Sequence, residues 1–131
     1  MKIKLVSVHV DDQEKALQFY TDVLGFTKKT DVSAGDYRWL TVVSPEEPDG
    51  AELVLEPNDN PAARSYQQAL FEQSIPAVVF YTSDLQRDHD RLAGKGVTFT
   101  VPPTTEARGA MAILDDTCGN LVQLTQLPGE G

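Results

Sequence analysis

The sequence predicts an α+β fold built from two copies of a βαβββ unit. Two strand–helix starts carry this prediction, because residues 5–10 run into Asp11 and residues 77–82 run into Ser83 at an offset of 72. The later matches have an offset of 71: Gly25 with Gly96, and Glu52 with Gln123. A repeat of this length indicates two units, each of which would leave an apolar sheet face uncovered if it stood alone. We therefore expect a cupped sheet or half-barrel with a cavity, and helices on the outside.

Residues 2–10 alternate as a strand does when helices cover one of its faces. The alternation separates Val6, Val8 and Val10, facing the helices, from Ile3, Leu5, Ser7 and His9 on the other face. The second set mixes apolar and polar side chains, which suits the wall of a cavity.

The first helix is predicted to begin with Asp11 and Glu14 as a capping box and to end at Gly25. Its apolar residues, from Ala16 to Leu24, recur at helical spacing. Strands follow at 26–32, 37–43 and 51–56, separated by a turn at 33–36 and a proline-containing loop at 44–50.

The chain is predicted to divide into module one at 1–57, a linker with a short helix at 58–75, module two at 76–127 and a loose tail at 128–131. The linker helix, over 62–73, presents Tyr66, Ala69, Leu70 and Phe71 as its apolar side.

In module two, Ser83 is predicted to cap a helix over 84–93, with Gln86 as its capping-box partner. The closing strands are predicted at 97–101, 110–114 and 121–127.

Composition excludes several classes of protein. A net charge of −9 and a pI near 4.5 disfavour nucleic-acid binding. No apolar run approaches the roughly 20 residues of a membrane span, and the first residues lack a signal-peptide core. The single cysteine, Cys118, excludes an internal disulfide framework and a cysteine-rich zinc site. We expect a cytoplasmic protein with no nucleic-acid or membrane partner.

Two reactive residue types receive structural interpretations. Cys118 lies in the acidic stretch 115–120, which does not activate a thiol, and is interpreted as a turn residue rather than a nucleophile. His89 lies in the polar stretch 87–91 and is interpreted as part of a solvated helix face.

In this duplicated order, the segments VDDQEKALQFYTDVLGF, RWLTVVSPEEPDGAELVLEP and LDDTCGNLVQL resemble the vicinal oxygen chelate superfamily. That superfamily holds glyoxalase I, extradiol dioxygenases and bleomycin-binding resistance proteins. The resemblance covers essentially the whole chain and implies a glyoxalase-like fold around a small organic ligand. We also expect a homodimer, although relatives pair their units either within one chain or between the chains of a dimer.

The resemblance implies two metal ligands from each unit of the metal-dependent members: a His at the start of the first strand and a Glu or His on the last. Here the first-strand positions are Leu5 and Ala77, neither of which can ligate a metal. The last-strand positions are Glu52 and Gln123, a poor ligand set without an imidazole. We therefore expect no cofactor, with a divalent metal on Glu52 and Gln123 as the alternative.

Strand alternation supplies the remaining candidates. Glu52, Val54 and Glu56 face inward or toward an edge, and His9 lies about 13 Å beyond position 5 along its strand. His9 stays open as a cavity hydrogen-bonding or titrating group, a structural residue or a metal ligand. A buried Glu52 without a metal needs a hydrogen-bond partner or a raised pKa, and a raised pKa would suit a general base. The expected ligand-binding residues are Ser7, His9, Trp39, Thr41, Glu52, Val54, Tyr81 and Gln123.

These features predict a protein that sequesters an amphiphilic or cationic organic ligand at a degenerate metal site. The alternative is a metal-dependent lyase, isomerase or dioxygenase that uses Glu52, its candidate catalytic residue, together with Gln123. A plain packed β core and a structural or regulatory dimer also remain open.

Overall fold

The computed structural model describes residues 1–129 and divides the chain into two compact units, Met1–Ser65 and a second that begins at Tyr66. Residues 130 and 131 of the predicted loose tail lie outside the described residues. The elements of the first unit are β1 Leu5–Val10, α1 Gln13–Gln18, a π-helical turn Phe19–Val23, β2 Thr27–Ala34, β3 Tyr37–Val43 and β4 Glu52–Pro57. After α2 at Pro61–Glu72 come β5 Val78–Tyr81, α3 Leu85–Gly94, β6 Phe99–Glu106, β7 Gly109–Asp115 and β8 Leu121–Gln126.

Each unit contains one open four-stranded sheet. The strand orders are β1-β4-β3-β2 and β5-β8-β7-β6, with the first strand of each unit parallel to the last and the other pairs antiparallel. The predicted α+β fold of two βαβββ units is therefore confirmed. The cavity and the module boundaries stay predictions.

The core of each unit lies between the sheet and its helix. In the first unit the buried residues on this side of the sheet include Val8, Val10, Ala16, Phe19, Tyr20, Leu40, Val42, Leu53 and Leu55. In the second unit they include Leu85, Leu92, Ala112, Leu114, Val122 and Leu124. Burying a large aliphatic side chain contributes about 1.5–3 kcal/mol, so this alternation determines which face each strand turns to its helix.

The first strand is shorter than predicted, since β1 begins at Leu5 and Ile3 is 84% exposed. Val8 and Val10 are buried as expected, but Val6 is 45% exposed. The prediction for Val6 is wrong because α1 packs chiefly on β4 rather than over the start of β1.

The cap of α1 is displaced by one residue from its prediction. Asp12, rather than Asp11, accepts a hydrogen bond from the backbone N–H of Lys15 at 3.0 Å. Glu14 does not complete a capping box, because its carboxylate accepts from the guanidinium of Arg38 at 3.1 Å.

The cap of α3 is displaced in the same way. Asp84, rather than Ser83, accepts from the N–H of Arg87 at 3.0 Å. Gln86 donates to Asp90 at 2.9 Å, one turn further along the helix, instead of reaching back to the cap.

The predicted apolar side of α2 is not its buried side. Tyr66 and Phe71 are 64% and 40% exposed, Ala69 is exposed, and Leu70 is half-buried. The buried residue is Gln67, at 6% exposure, because its amide is hydrogen-bonded to a turn of the second unit. None of the helices among residues 1–129 has the length and apolar character needed to cross a bilayer.

The two strands at the β2 and β6 edges of the sheets extend beyond their predicted ends. β2 continues through Ala34, and β6 continues past Val101 to Glu106 despite Pro102 and Pro103. An edge strand tolerates proline because one side of its backbone has no ladder to complete, and the register of β6 shifts at this point.

Candidate functional site

We call the sheet surface opposite the helix of each unit its open face. In the first unit alternation places on it Leu5, Ser7, His9, Tyr37, Trp39, Thr41, Glu52, Val54 and Glu56. Thr41 and Val54, in the central strands, are 0% and 2% exposed, whereas Leu5 is 48% exposed. The open face therefore has a buried centre and an accessible apolar margin.

Glu52 is held in place by a neighbouring strand. The Thr41 hydroxyl donates to its carboxylate at 2.8 Å, and Glu52 lies opposite Leu5 in the β1–β4 ladder. The sequence required a hydrogen-bond partner or a raised pKa for a buried Glu52. The structure supplies the partner, because the Thr41 hydroxyl holds one oxygen of the carboxylate.

A second group of polar side chains on this face surrounds His9, two residues beyond Ser7 in β1. His9 is opposite Glu56, and its Nε2 lies 3.9 Å from the Glu56 carboxylate. Partial burial raises the pKa of the Tyr37 phenol, and the charge of Glu56 together with a hydrogen bond to it raises that pKa further. Sequence reasoning did not select Tyr37, although it shares the period-2 pattern of Trp39 and therefore the same face.

The open face of the second unit is less polar. It carries Ala77, Val79, Tyr81, Gln123 and Thr125. Val79 and Tyr81 are 48% and 69% exposed, and the Gln123 amide donates to the Thr125 hydroxyl at 3.0 Å. Gln123 and Glu52, predicted to act together, belong to separate compact units.

Strand registers change which last-strand residues correspond between the units. The helix caps keep the offset of 72 for the first strands, so Ser7 corresponds to Val79. Ser7 lies opposite Val54, and Val79 lies opposite Gln123. Val54 is therefore the counterpart of Gln123, and the predicted equivalence of Glu52 and Gln123 is wrong. The cause is the loop between the last two strands, which has eight residues in the first unit and five in the second.

This correspondence weakens the metal-binding alternative. Leu5 and Ala77 carry no donor atom, and the counterpart of Gln123 in the first unit is Val54, which carries none either. Structural and catalytic metal centres generally take three or four protein ligands. Between Met1 and Gly129, no group of three or more His, Cys, Asp or Glu side chains is placed to hold a metal ion. The donor set does not fit the metal centre of the metal-dependent relatives.

The turn before β8 contains a buried polar network rather than a reactive site. Asp116 accepts from the N–H groups of Cys118 and Asn120 at 2.7 and 2.9 Å, and from the Asn120 side-chain amide at 2.8 Å. Gln67 donates to the Cys118 carbonyl at 3.1 Å and to the Asn120 side chain at 3.3 Å. Gly119 has a φ of +100°, and a Cβ there would lie 2.6 Å from the Gln67 amide. The Gly-Asn pair before the last strand is thus a packing requirement.

The predicted environment is found for Cys118 but not for His89. Cys118 is fully buried in the turn, where the sequence placed it. His89 is not a solvated residue, because its side chain is 22% exposed and its ring lies 4.5 Å from the ring of Phe99. Phe99 begins β6, which packs against α3 and covers the imidazole. His89 Nδ1 also lies 3.1 Å from Asp90, which lowers the pKa of that carboxyl.

Comparison with known proteins agrees with this architecture. A family model described as the Glyoxalase/Bleomycin resistance protein/Dioxygenase superfamily matches residues 2–124. The uncharacterized protein YurT of Bacillus subtilis (strain 168) is 52% identical over 126 residues, which are 96% of this chain and 99% of YurT.

Two solved structures are also similar. UcmS2 has a TM-score of 0.83 at 30% identity, with 95% of this chain and 97% of UcmS2 covered. TnmS3, an antibiotic binding protein from Streptomyces sp. CB03234, has a TM-score of 0.78 at 29% identity, with 97% and 96% covered. The chain described here belongs to the glyoxalase/bleomycin resistance protein/dioxygenase superfamily.

Proposed function

We propose that this protein binds and sequesters an amphiphilic organic molecule of the antibiotic class on its open faces, without metal chemistry. The observation that carries the proposal is the pairing of a mixed open face with first-strand positions that lack metal donors. Leu5, at 48% exposure, and half-buried Trp39 offer apolar contact beside Glu52, whose carboxylate is held by the Thr41 hydroxyl. A largely apolar surface with a few oriented polar groups is the usual composition of a small-molecule site.

Charge favours one kind of ligand over another. The net charge of −9 attracts cations and repels anions over the whole surface. Glu52 and Glu56 add local negative charge to the open face of the first unit. The ligand is therefore an amphiphile with a cationic or hydrogen-bond-donating group.

TnmS3 supports the antibiotic class, since it is an antibiotic binding protein that resembles this chain over nearly its whole length. The alternative, a metal-dependent lyase, isomerase or dioxygenase using Glu52 and Gln123, requires metal donors that Leu5 and Ala77 do not provide.

A cytoplasmic homodimer completes the proposal. Each unit exposes large apolar side chains, among them Leu5 at 48% in the first and Tyr81 at 69% in the second. Apolar patches of this kind are characteristic of surfaces that bind a partner or a ligand. Light scattering on the purified chain tests the dimer, and a mass of one chain would contradict it.

A ligand screen tests the binding function. The single tryptophan, Trp39, lies on the open face and is half-buried, so its emission reports directly on occupancy. A panel of amphiphilic antibiotics, both cationic and neutral, is screened with EDTA present by Trp39 fluorescence and by thermal shift. A bound ligand raises the melting temperature because it stabilises the folded state by mass action.

A matched pair of variants assigns the site. Leu5→Lys removes apolar contact and places a charge on the open face that repels a cationic ligand, so it is expected to weaken binding at least about tenfold, or roughly 1.4 kcal/mol. Ile3→Lys makes the same change before the strand, at a side chain that is 84% exposed, and is expected to leave affinity unchanged. A flat response of the wild type across the panel, or equal losses in both variants, would count against the proposed function.

A further inference from the structure

The two units differ in how their last strands pair. In the first unit β4 pairs with β1 along its whole length, from Glu52 to Pro57. Its pairing with β3 within the described chain is limited to Thr41↔Val54 and Val42↔Leu53. In the second unit β7 and β8 pair without interruption along the corresponding stretch. Strands β3 and β4 therefore part toward Tyr37 and Glu56, leaving a gap in the sheet of the first unit.

A side chain bridges this gap from the helix side. The amide nitrogen of Gln13 donates to the carbonyls of Arg38 at 3.0 Å and Leu55 at 2.8 Å, one on each of the parted strands. Buried backbone carbonyls need such partners, so Gln13 allows the strands to stay apart. The residue that follows the cap in the second unit is Leu85, which has no side-chain amide to offer. The gap is thus a built feature of the first unit.

Three polar side chains lie beside the gap on the open face. His9 and Glu56 face each other at 3.9 Å, and their side chains are 36% and 32% exposed. Tyr37 is 43% exposed, and partial burial together with the neighbouring Glu56 carboxylate raises the pKa of its phenol. A carboxylate has about four acceptor positions, so one phenol leaves it able to accept from a ligand.

The nearest strand cation does not neutralise this carboxylate. Arg38 points to the other face, where its guanidinium binds Asp31 through two bonds of 2.8 and 2.9 Å and Glu14 at 3.1 Å. Trp39, next along the strand, shares the open face with Glu56 and offers a ring that attracts cations.

We propose that Glu56, Tyr37 and His9, beside the β3–β4 gap, form a subsite for the cationic nitrogen of an amphiphilic amine. Glu56 binds the ammonium group, Tyr37 orients the carboxylate, and Trp39 contacts the adjoining apolar part of the ligand. The subsite deepens the proposed function and rests on it, because it names the group by which the sequestered molecule is recognised.

The test compares two probes of the same shape, 4-phenylbutylamine and 4-phenylbutan-1-ol, titrated against Trp39 emission. The wild type is expected to bind the amine about tenfold more tightly than the alcohol, as a charge-assisted hydrogen bond would give. Glu56→Gln is expected to abolish this preference while keeping affinity for the alcohol. Glu72→Gln makes the same charge change on exposed α2 and is expected to keep the preference.

The outcomes separate the subsite from the function. Equal affinity of the wild type for both probes, or a preference that survives Glu56→Gln, overturns the subsite and leaves open-face binding intact. If neither probe binds, the subsite is overturned, whereas the proposed function is overturned only if the antibiotic panel also gives no response. If Glu56→Gln fails to fold, Glu56→Asp is measured instead. A retained preference of this variant for the amine supports the role of the carboxylate. A lost preference in a folded Glu56→Asp variant overturns the stated geometry.

Discussion

Replacement of Asp116 by alanine tests whether the buried turn network stabilises the second unit. The carboxylate is fully buried and accepts three hydrogen bonds of 2.7, 2.8 and 2.9 Å from Cys118 and Asn120. Each buried donor left unpaired costs about 1–3 kcal/mol, and removing a buried charge recovers part of its desolvation free energy. We expect Asp116→Ala to lower the free energy of unfolding by about 3–5 kcal/mol, among the larger effects of single substitutions.

Asp116→Asn is the matched control. Its remaining oxygen can keep both backbone bonds, which converge on Oδ1, while its new amide faces the amide of Asn120. One bond is lost rather than three, so the expected cost is about 1–2 kcal/mol.

Urea unfolding followed by far-UV circular dichroism gives both free energies from the midpoints and slopes. Parallel curves from Trp39 emission report on the first unit and test whether unfolding is two-state. A loss below about 1 kcal/mol for Asp116→Ala, or equal losses for the two variants, would refute the reasoning because the hydrogen bonds would not be the source of stability.

Three further predictions concern packing, pH and metal. Gly119→Ala is expected to lower the free energy of unfolding, measured by thermal unfolding, by about 2 kcal/mol more than Gly35→Ala does. Both glycines have positive φ, but only at Gly119 would the added Cβ contact Gln67, at 2.6 Å. Equal losses would contradict this steric account. The hydrogen bond from Arg38 holds the pKa of Asp31 below its ordinary value of 3.8. The ionised pair therefore stabilises the folded state at any pH above 3.8. This stabilisation is lost as the pH falls below 3.8 and through the lower pKa that Asp31 has in the folded state. The melting temperature of Asp31→Asn should therefore vary less than that of the wild type below about pH 4, and parallel curves would argue against it. After EDTA treatment, added Zn²⁺ or Ni²⁺ should not bind stoichiometrically, because both first-strand positions lack donors, and one ion per chain by elemental analysis would show otherwise.

Regular alternation made much of the fold predictable. The third strand was predicted at the residues that β3 occupies, and Leu40 and Val42 face the helix as expected. Period-2 alternation of large apolar residues is a local property, so it can be read without knowing what the strand pairs with. The same property placed Trp39 and Thr41 on the opposite face.

Features that depend on distant partners were not predictable. Asp11 and Asp12 are equally good caps in sequence, and Glu14, the expected capping-box partner of Asp11, instead binds Arg38 on a distant strand. The correspondence between last strands required their ladders, because a three-residue difference in loop length leaves strand periodicity unchanged. The gap between β3 and β4 depends on Gln13, a polar helix residue that belongs to no pattern.

The Gln13 bridge has a consequence for how the surface of the first unit can diverge among related sequences. A ladder of backbone hydrogen bonds is insensitive to side-chain identity, so its geometry persists through most substitutions. Where a side chain bridges two strands in place of that ladder, the spacing of the strands depends on the identity of a single residue. Substitution at position 13 can then change the shape of the neighbouring surface while the remaining strands of the sheet keep their pairing. If the proposed function holds, ligand preference can therefore change in the first unit without remodelling the second, in which β7 and β8 keep a continuous ladder.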